Sequence, residues 1–177
     1  LLAKQKEQQK KVDALNKQIE EMIAKQVRTT TTLTKEQQLI AGGFEANQGR
    51  LPWPVEKGFI SGYFGKHQHP VHEHVTVNNK GIYLQTVAGA NARAIYEGEV
   101  SSCAQINGNY AVIVQHGNYR TVYSPLKKIY VKQGDKVKAK QAIGEIVTDT
   151  SEDNKTELYF QIYKDRSIIN PGLWLAQ

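Results

Sequence analysis

Tyr110-Ala111-Val112-Ile113-Val114-Gln115 and Arg120-Thr121-Val122-Tyr123, separated by His116-Gly117-Asn118-Tyr119, decide the fold of this 177-residue chain. Each run is rich in β-branched and aromatic residues, too short for a helix and bounded by turn formers, so the stretch reads as strand, turn, strand. Residues 81–84, 92–95 and 158–163 repeat the theme, alternating or apolar throughout, with Gly, Asn and Asp turns between such runs. Nothing from 58 to 177 has the length and 3.6-residue period of a helix. Strand number and turn spacing predict a mainly β domain over 58–177, a β-sandwich or partly open barrel.

The chain ahead of that domain is of another kind. Residues 1–28 lack Gly, Pro, Tyr, Phe and Trp and are crowded with Lys, Gln and Glu. Val12, Leu15, Ile19 and Met22 step by three, four and three, the a/d pattern of a coiled coil, and Ile23 and Val27 widen the stripe. One heptad earlier the equivalent positions are Gln5 and Gln8, so the pattern fades toward the start. Two readings stay open: the end of a longer coiled coil, or a lone amphipathic helix packed on the domain. The run Thr29-Thr30-Thr31-Thr32 breaks the helix. Thr34 and Gln37 have the form of a capping box opening a short helix with Leu39 and Ile40, which Gly42-Gly43 is expected to end. Two prolines hold the following linker extended. The expected organisation is a helical stalk over 1–47, a Pro-containing linker over 48–57 and the β domain over 58–177.

The formal net charge of +6 favours anionic partners, among them the peptidoglycan-bearing bacterial surface. The basic residues are scattered along the chain rather than gathered with aromatics, which argues against nucleic acid. A single cysteine, Cys103, rules out an internal disulfide and reads as a strand position in the core. No stretch approaches the roughly 20 apolar residues that cross a bilayer. No signal peptide is legible at Leu1-Leu2, and a start without Met inside a helical pattern suggests a piece of a longer chain.

Within the β domain an ordered series of short motifs carries a resemblance. Ile60-Ser61-Gly62-Tyr63-Phe64-Gly65, Lys80-Gly81-Ile82, Ala92-Arg93-Ala94, Gly98-Glu99-Val100, His116-Gly117-Asn118-Tyr119, Val131-Lys132-Gln133-Gly134-Asp135-Lys136-Val137, Ile143-Gly144 and Asn170-Pro171 follow one another as in lysostaphin/LytM-type zinc peptidases. Any one is weak; together they resemble that family over nearly all of 58–177. The family's chemistry depends on a His and an Asp four residues apart, a His-x-His pair and a Tyr-x-His-Leu segment. Three N/O ligands then leave an open position where metal-bound water is acidified. The resemblance places these positions on Asn79 and Tyr83, on Glu157 and Tyr159, and on Pro125. All five are substituted. Asn and Tyr are poor zinc ligands, and Pro125 exchanges no proton. The resemblance therefore implies a protein without catalysis or cofactor, whose former active-site cleft at Asn79, Tyr83, Pro125, Glu157 and Tyr159 binds a partner. A blander reading has Tyr83 and Tyr159 simply filling the volume of a lost metal site.

The pattern is most similar to the degenerate, EnvC-like branch of murein hydrolase activators, and Phe44 to Pro54 resembles the junction that precedes their domain. That likeness implies a periplasmic or cell-envelope protein that switches on a cell-wall amidase, with a coiled coil coupling it to a division-site membrane complex. It also implies that a helix can hold the activator off, and the short segment with Leu33, Leu39, Ile40 and Phe44 is the candidate for covering the cleft. Two alternatives remain: a peptidoglycan-binding module without activator role, and a zinc enzyme using His67, His69, His72 and His74, which fall within eight residues. His116 reads as structural.

Overall fold

The computed structural model describes residues 2–29, 32–68 and 76–177. In chain order the elements are α1 (Leu2–Thr29), α2 (Lys35–Ala46), β1 (Phe59–Gly62), β2 (Gly65–Gln68), β3 (Thr76–Asn79), β4 (Ile82–Thr86), β5 (Asn91–Arg93), β6 (Gly98–Ile106) and β7 (Asn109–His116). They continue with β8 (Tyr119–Ile129), β9 (Lys136–Val137), β10 (Ala142–Ile146), β11 (Thr148–Asp149), β12 (Lys155–Lys164), β13 (Ser167–Ile169) and a 3-10 turn at Pro171–Leu173. The fold is mainly β, as the strand pattern predicts, with helices at its N-terminal end. An antiparallel sheet runs β1-β4-β12-β8-β7-β6-β9, with β10 joining β8 to β5. It does not close into a barrel. β2 and β3 form a separate hairpin.

The β7–β8 hairpin carries apolar residues on both faces because both faces of its middle are covered. Side chains alternate along a strand. Val112, Val114, Tyr119 and Tyr123 enter the main core with Phe44, Leu84, Leu126, Ile143 and Phe160. Ala111, Ile113 and Val122 point the other way, into a second cluster with Tyr163, Ile19 and Ile23. That second face is roofed by α1. Ile19 and Ile23 are fully buried there, and Leu15, Met22 and Val27 pack beside them. The helix therefore lies on its own domain, and the a/d stripe is covered by the sheet rather than by a second helix. Burying two isoleucines supplies about 3–6 kcal/mol before ordering costs.

α2 opens on the expected capping box, with Gln37 N–H donating to Thr34 Oγ1 and Thr34 N–H donating to Gln37 Oε1. It does not stop at Gly42-Gly43 but runs through both to Ala46. The reason is packing: a Cβ at Gly43 would collide with the Tyr96 hydroxyl, and one turn of further helix delivers Phe44 into the core. There its ring meets Tyr96, His116, Tyr119 and Trp174. Gly117, with φ +70°, lets α2 dock, since a Cβ there would stand 2.6 Å from the Gln37 carbonyl oxygen.

The segment after α2 is built into the domain. Leu51 and Val55 are core residues. Leu51 pairs in parallel with Leu175, Gly49 N–H donates to Trp174 O at 2.9 Å, Ala176 N–H donates to Leu51 O at 2.8 Å, and Trp53 Nε1 donates to Ala176 O at 2.7 Å.

Candidate functional site

β12 lies between β4 and β8, and this register gathers most of the residues that the family resemblance sets at zinc positions. Glu157 and Tyr159, two apart on β12, share a face. Tyr83 on β4 sits directly opposite Tyr159, and Ser124, the residue before Pro125, faces Tyr159 from β8. The Tyr83 and Tyr159 rings stack at 4.7 Å, 24° apart. Tyr83, Pro125, Glu157 and Tyr159 line a cleft of about 700 Å³. Asn79 is not part of its lining; its Nδ2 donates to Tyr63 O at 2.9 Å.

The other wall of the cleft is α1, through Gln8, Lys11, Val12 and Leu15. Tyr159 Oη donates to Asn16 Oδ1 at 2.8 Å, and Gln161 Nε2 donates to the same oxygen at 3.3 Å. Lys80 pairs with Glu20 at 2.6 Å, and Arg120 Nε donates to Gln26 Oε1 at 2.7 Å. The polar side chains that fix α1 over the cleft thus come from beside its apolar stripe. Asn16 was the available signal, a buried amide between Leu15 and Ile19. The stripe alone does not name the surface it will cover.

α2 does not line this cleft. Phe44 is in the main core, Ile40 and Leu33 are half-buried, and Leu39 is 78% exposed. The expectation that this helix lies across the cleft is replaced by α1, because Phe44 and Gly117 tie α2 to the β7–β8 turn instead.

Burial drives both phenols above the ordinary tyrosine range. For Tyr83 the neighbouring Tyr159 and Glu157 add to that push, whereas for Tyr159 the bond to Asn16 works against it. Glu157 accepts from Ser61 Oγ at 2.6 Å and has Lys155 Nζ at 3.8 Å. These residues do not fit a hydrolytic zinc. Two neutral phenols, one of them donating to a helix, an amide turned to a backbone carbonyl, and a carboxylate already engaged do not make a three-ligand set. Among the described residues no group of three or more His, Cys, Asp or Glu is placed to hold a metal. His67 is half-buried on β2; His69, His72 and His74 lie outside the described residues. His116 is buried in the core, its Nδ1 2.7 Å from Glu97 O and its Nε2 2.9 Å from Thr121 Oγ1.

Comparison with known proteins agrees with this architecture. The chain is 27% identical over 138 residues to the murein hydrolase activator EnvC of Escherichia coli, an alignment covering 77% of this chain and 31% of that protein. Helicobacter pylori Csd3 superposes with a TM-score of 0.60 at 25% identity, over 73% of this chain and 36% of Csd3. A chain of the SpoIIQ–SpoIIIAH pore-forming complex superposes with a TM-score of 0.59 at 26% identity, over 73% of this chain and 92% of that one. The chain spans 17% to 31% of the length of the curated relatives it matches. The profile of Peptidase family M23 matches residues 77–171, more than half of the chain, from β3 through the last strand. By that match, this chain belongs to peptidase family M23.

Proposed function

We propose that the chain is a non-catalytic cell-envelope protein that activates a cell-wall amidase. It binds the amidase through the cleft at Tyr83, Pro125, Glu157 and Tyr159, and α1 holds it off until displaced. The observation that carries this reading is the hydrogen bond from Tyr159 to Asn16 of α1. A position that would hold a metal ligand in a working peptidase here donates to a helix. The likeness to a protein named as a murein hydrolase activator supports the choice of partner. Lifting Ile19 and Ile23 off the sheet opposes activation, and a net bias of 1–3 kcal/mol would make a workable switch.

The test is amidase binding and sacculus hydrolysis with the full chain and with Ile19→Asp, which loosens α1 without touching the main core. The variant should bind amidase about 5- to 150-fold more tightly. Adding Tyr83→Ala in that background should weaken binding by more than about 1 kcal/mol. With zinc and no amidase, neither form should release peptide. Turnover abolished by chelator and restored by zinc would overturn the non-catalytic reading. Equal affinity of both forms would end the role of α1. Sedimentation with sacculi, with no amidase binding by either form, would assign a peptidoglycan-binding module instead.

A further inference from the structure

Read along the chain, the basic residues look dispersed, but their net effect is local. Residues 127–140 hold six lysines against one aspartate, so +5 of the chain's net +6 sits in fourteen residues. The fold spreads this segment over the end of β8, the edge strand β9 and the turns around β9. Lys127 and Lys128 lie at the end of β8. Lys136 is on β9, the terminal strand of the sheet on the β6 side, while the cleft is built on β4, β12 and β8. Lys132, Lys138 and Lys140 are on the two turns that flank β9. All six are exposed.

The turns are ordered. Lys132 N–H donates to Asp135 Oδ2 at 3.0 Å, and Lys138 N–H donates to Gln141 Oε1 at 3.0 Å. Val100 N–H donates to Asp135 O, and Lys140 N–H donates to Ala94 O, which anchors both turns to the body of the sheet. Asp135, the one acid of the segment, is thus engaged in holding a turn. Lys127 and Lys128 share Glu145, and Lys136 meets Glu36 of α2 at 3.3 Å. Among the described residues no carboxylate comes within 4.0 Å of the ammonium groups of Lys132, Lys138 or Lys140.

Lysines on an edge strand also block edge-to-edge pairing. That role does not account for the array, because β9 is two residues long and most of the lysines lie outside it. Apolar side chains stand beside the charges. Leu39, 78% exposed, lies three residues from Glu36 on α2 and so shares the helix face that reaches Lys136. Tyr130 is 48% exposed, with Lys128 Nζ 6.0 Å from its ring. One tyrosine is no stacking platform for a nucleic-acid strand. Flexible ammonium groups on fixed turns, with a leucine and a tyrosine at their margin, suit a fluid anionic surface that takes charge and a little apolar area together.

We infer that this β9 border is a peripheral membrane-binding surface, selective for anionic phospholipid.

The test is co-sedimentation of the full chain with phosphatidylcholine vesicles with and without phosphatidylglycerol. Binding is expected only with phosphatidylglycerol, and it should fall steeply as salt rises. Combining Lys132→Gln, Lys136→Gln, Lys138→Gln and Lys140→Gln should weaken it more than about 100-fold, at about fivefold per lysine. Leu39→Ser should weaken it about tenfold. The salt titration reads the same charge dependence on the unsubstituted chain and stands even if the combined variant folds poorly. Equal binding to both vesicle types, or binding indifferent to salt, would overturn the inference. So would displacement by excess inorganic phosphate at constant ionic strength, which would mark a site for the free anion. Tighter binding to duplex DNA than to the vesicles would assign the border to nucleic acid instead.

Discussion

A phenol at a position where the resemblance to zinc peptidases implies an imidazole changes what that position can hold. Tyr159 has its hydroxyl on Asn16 and its ring on Tyr83, so its polar tip and its flat face are both taken. Tyr83, Pro125, Glu157 and Tyr159 line one cleft; in the sequence only the family resemblance grouped them, since strand alternation relates Glu157 to Tyr159 and no others. Asn79 departs because β3 pairs with β2 and not with the main sheet, a split the motifs do not reveal. His116 is the residue whose titration bears on stability. Burial pushes its pKa down to about 4, while the bond to the Glu97 carbonyl works in the other direction. The unfolded chain, with its imidazole near the ordinary value of 6.5, takes up the proton first on acidification. The contribution is therefore complete above pH 6.5, is lost as pH falls through about 4, and amounts to about 3 kcal/mol. Urea unfolding across this window should show that loss in the parent chain. A His116→Phe variant should show a smaller slope, the difference being the histidine's share.

At the scale of elements, the two helices exchange the roles their sequences suggest. α2 is short, contains two glycines and looks expendable, yet it carries Phe44 into the middle of the aromatic core. Phe44→Ala should cost about 3–5 kcal/mol, read as a shift of the urea midpoint with unchanged slope. Removing residues 1–46 would take this ring away and is expected to damage the domain rather than simply uncover its cleft. α1 has the longer and cleaner pattern, and it is the helix attached to a single face. Periodicity foretold its stripe from Val12 to Val27, since that needs only the sequence. It did not foretell the β7–β8 face beneath, since that face exists only once the sheet has formed. The glycine pair misled for a related reason: a local stop signal yields when tertiary packing of the next residue is worth more than the propensity lost.

For the molecule as a whole, two cores on opposite faces of one sheet imply two levels of stability. The main core gathers side chains from nearly every strand, from α2 and from the C-terminal residues, whereas the second depends on one helix. Amide hydrogen exchange should therefore show α1 opening at lower free energy than β7, β8 and β12, which open only with global unfolding. Equal protection of α1 and these strands would mean a single cooperative unit. The strand pattern captured the mainly β body well, because alternation and turn chemistry are local properties. How the helices are laid over it is a long-range property. One such long-range feature is the pairing of Leu51 with Leu175, reinforced by Gly49, Trp53, Trp174 and Ala176. It joins the entry of the β body to its exit in parallel. Under mechanical tension between the helices and the C-terminal residue, this staple would be loaded in shear, its hydrogen bonds sharing the force together, and the sheet that carries the cleft would lie outside the force path.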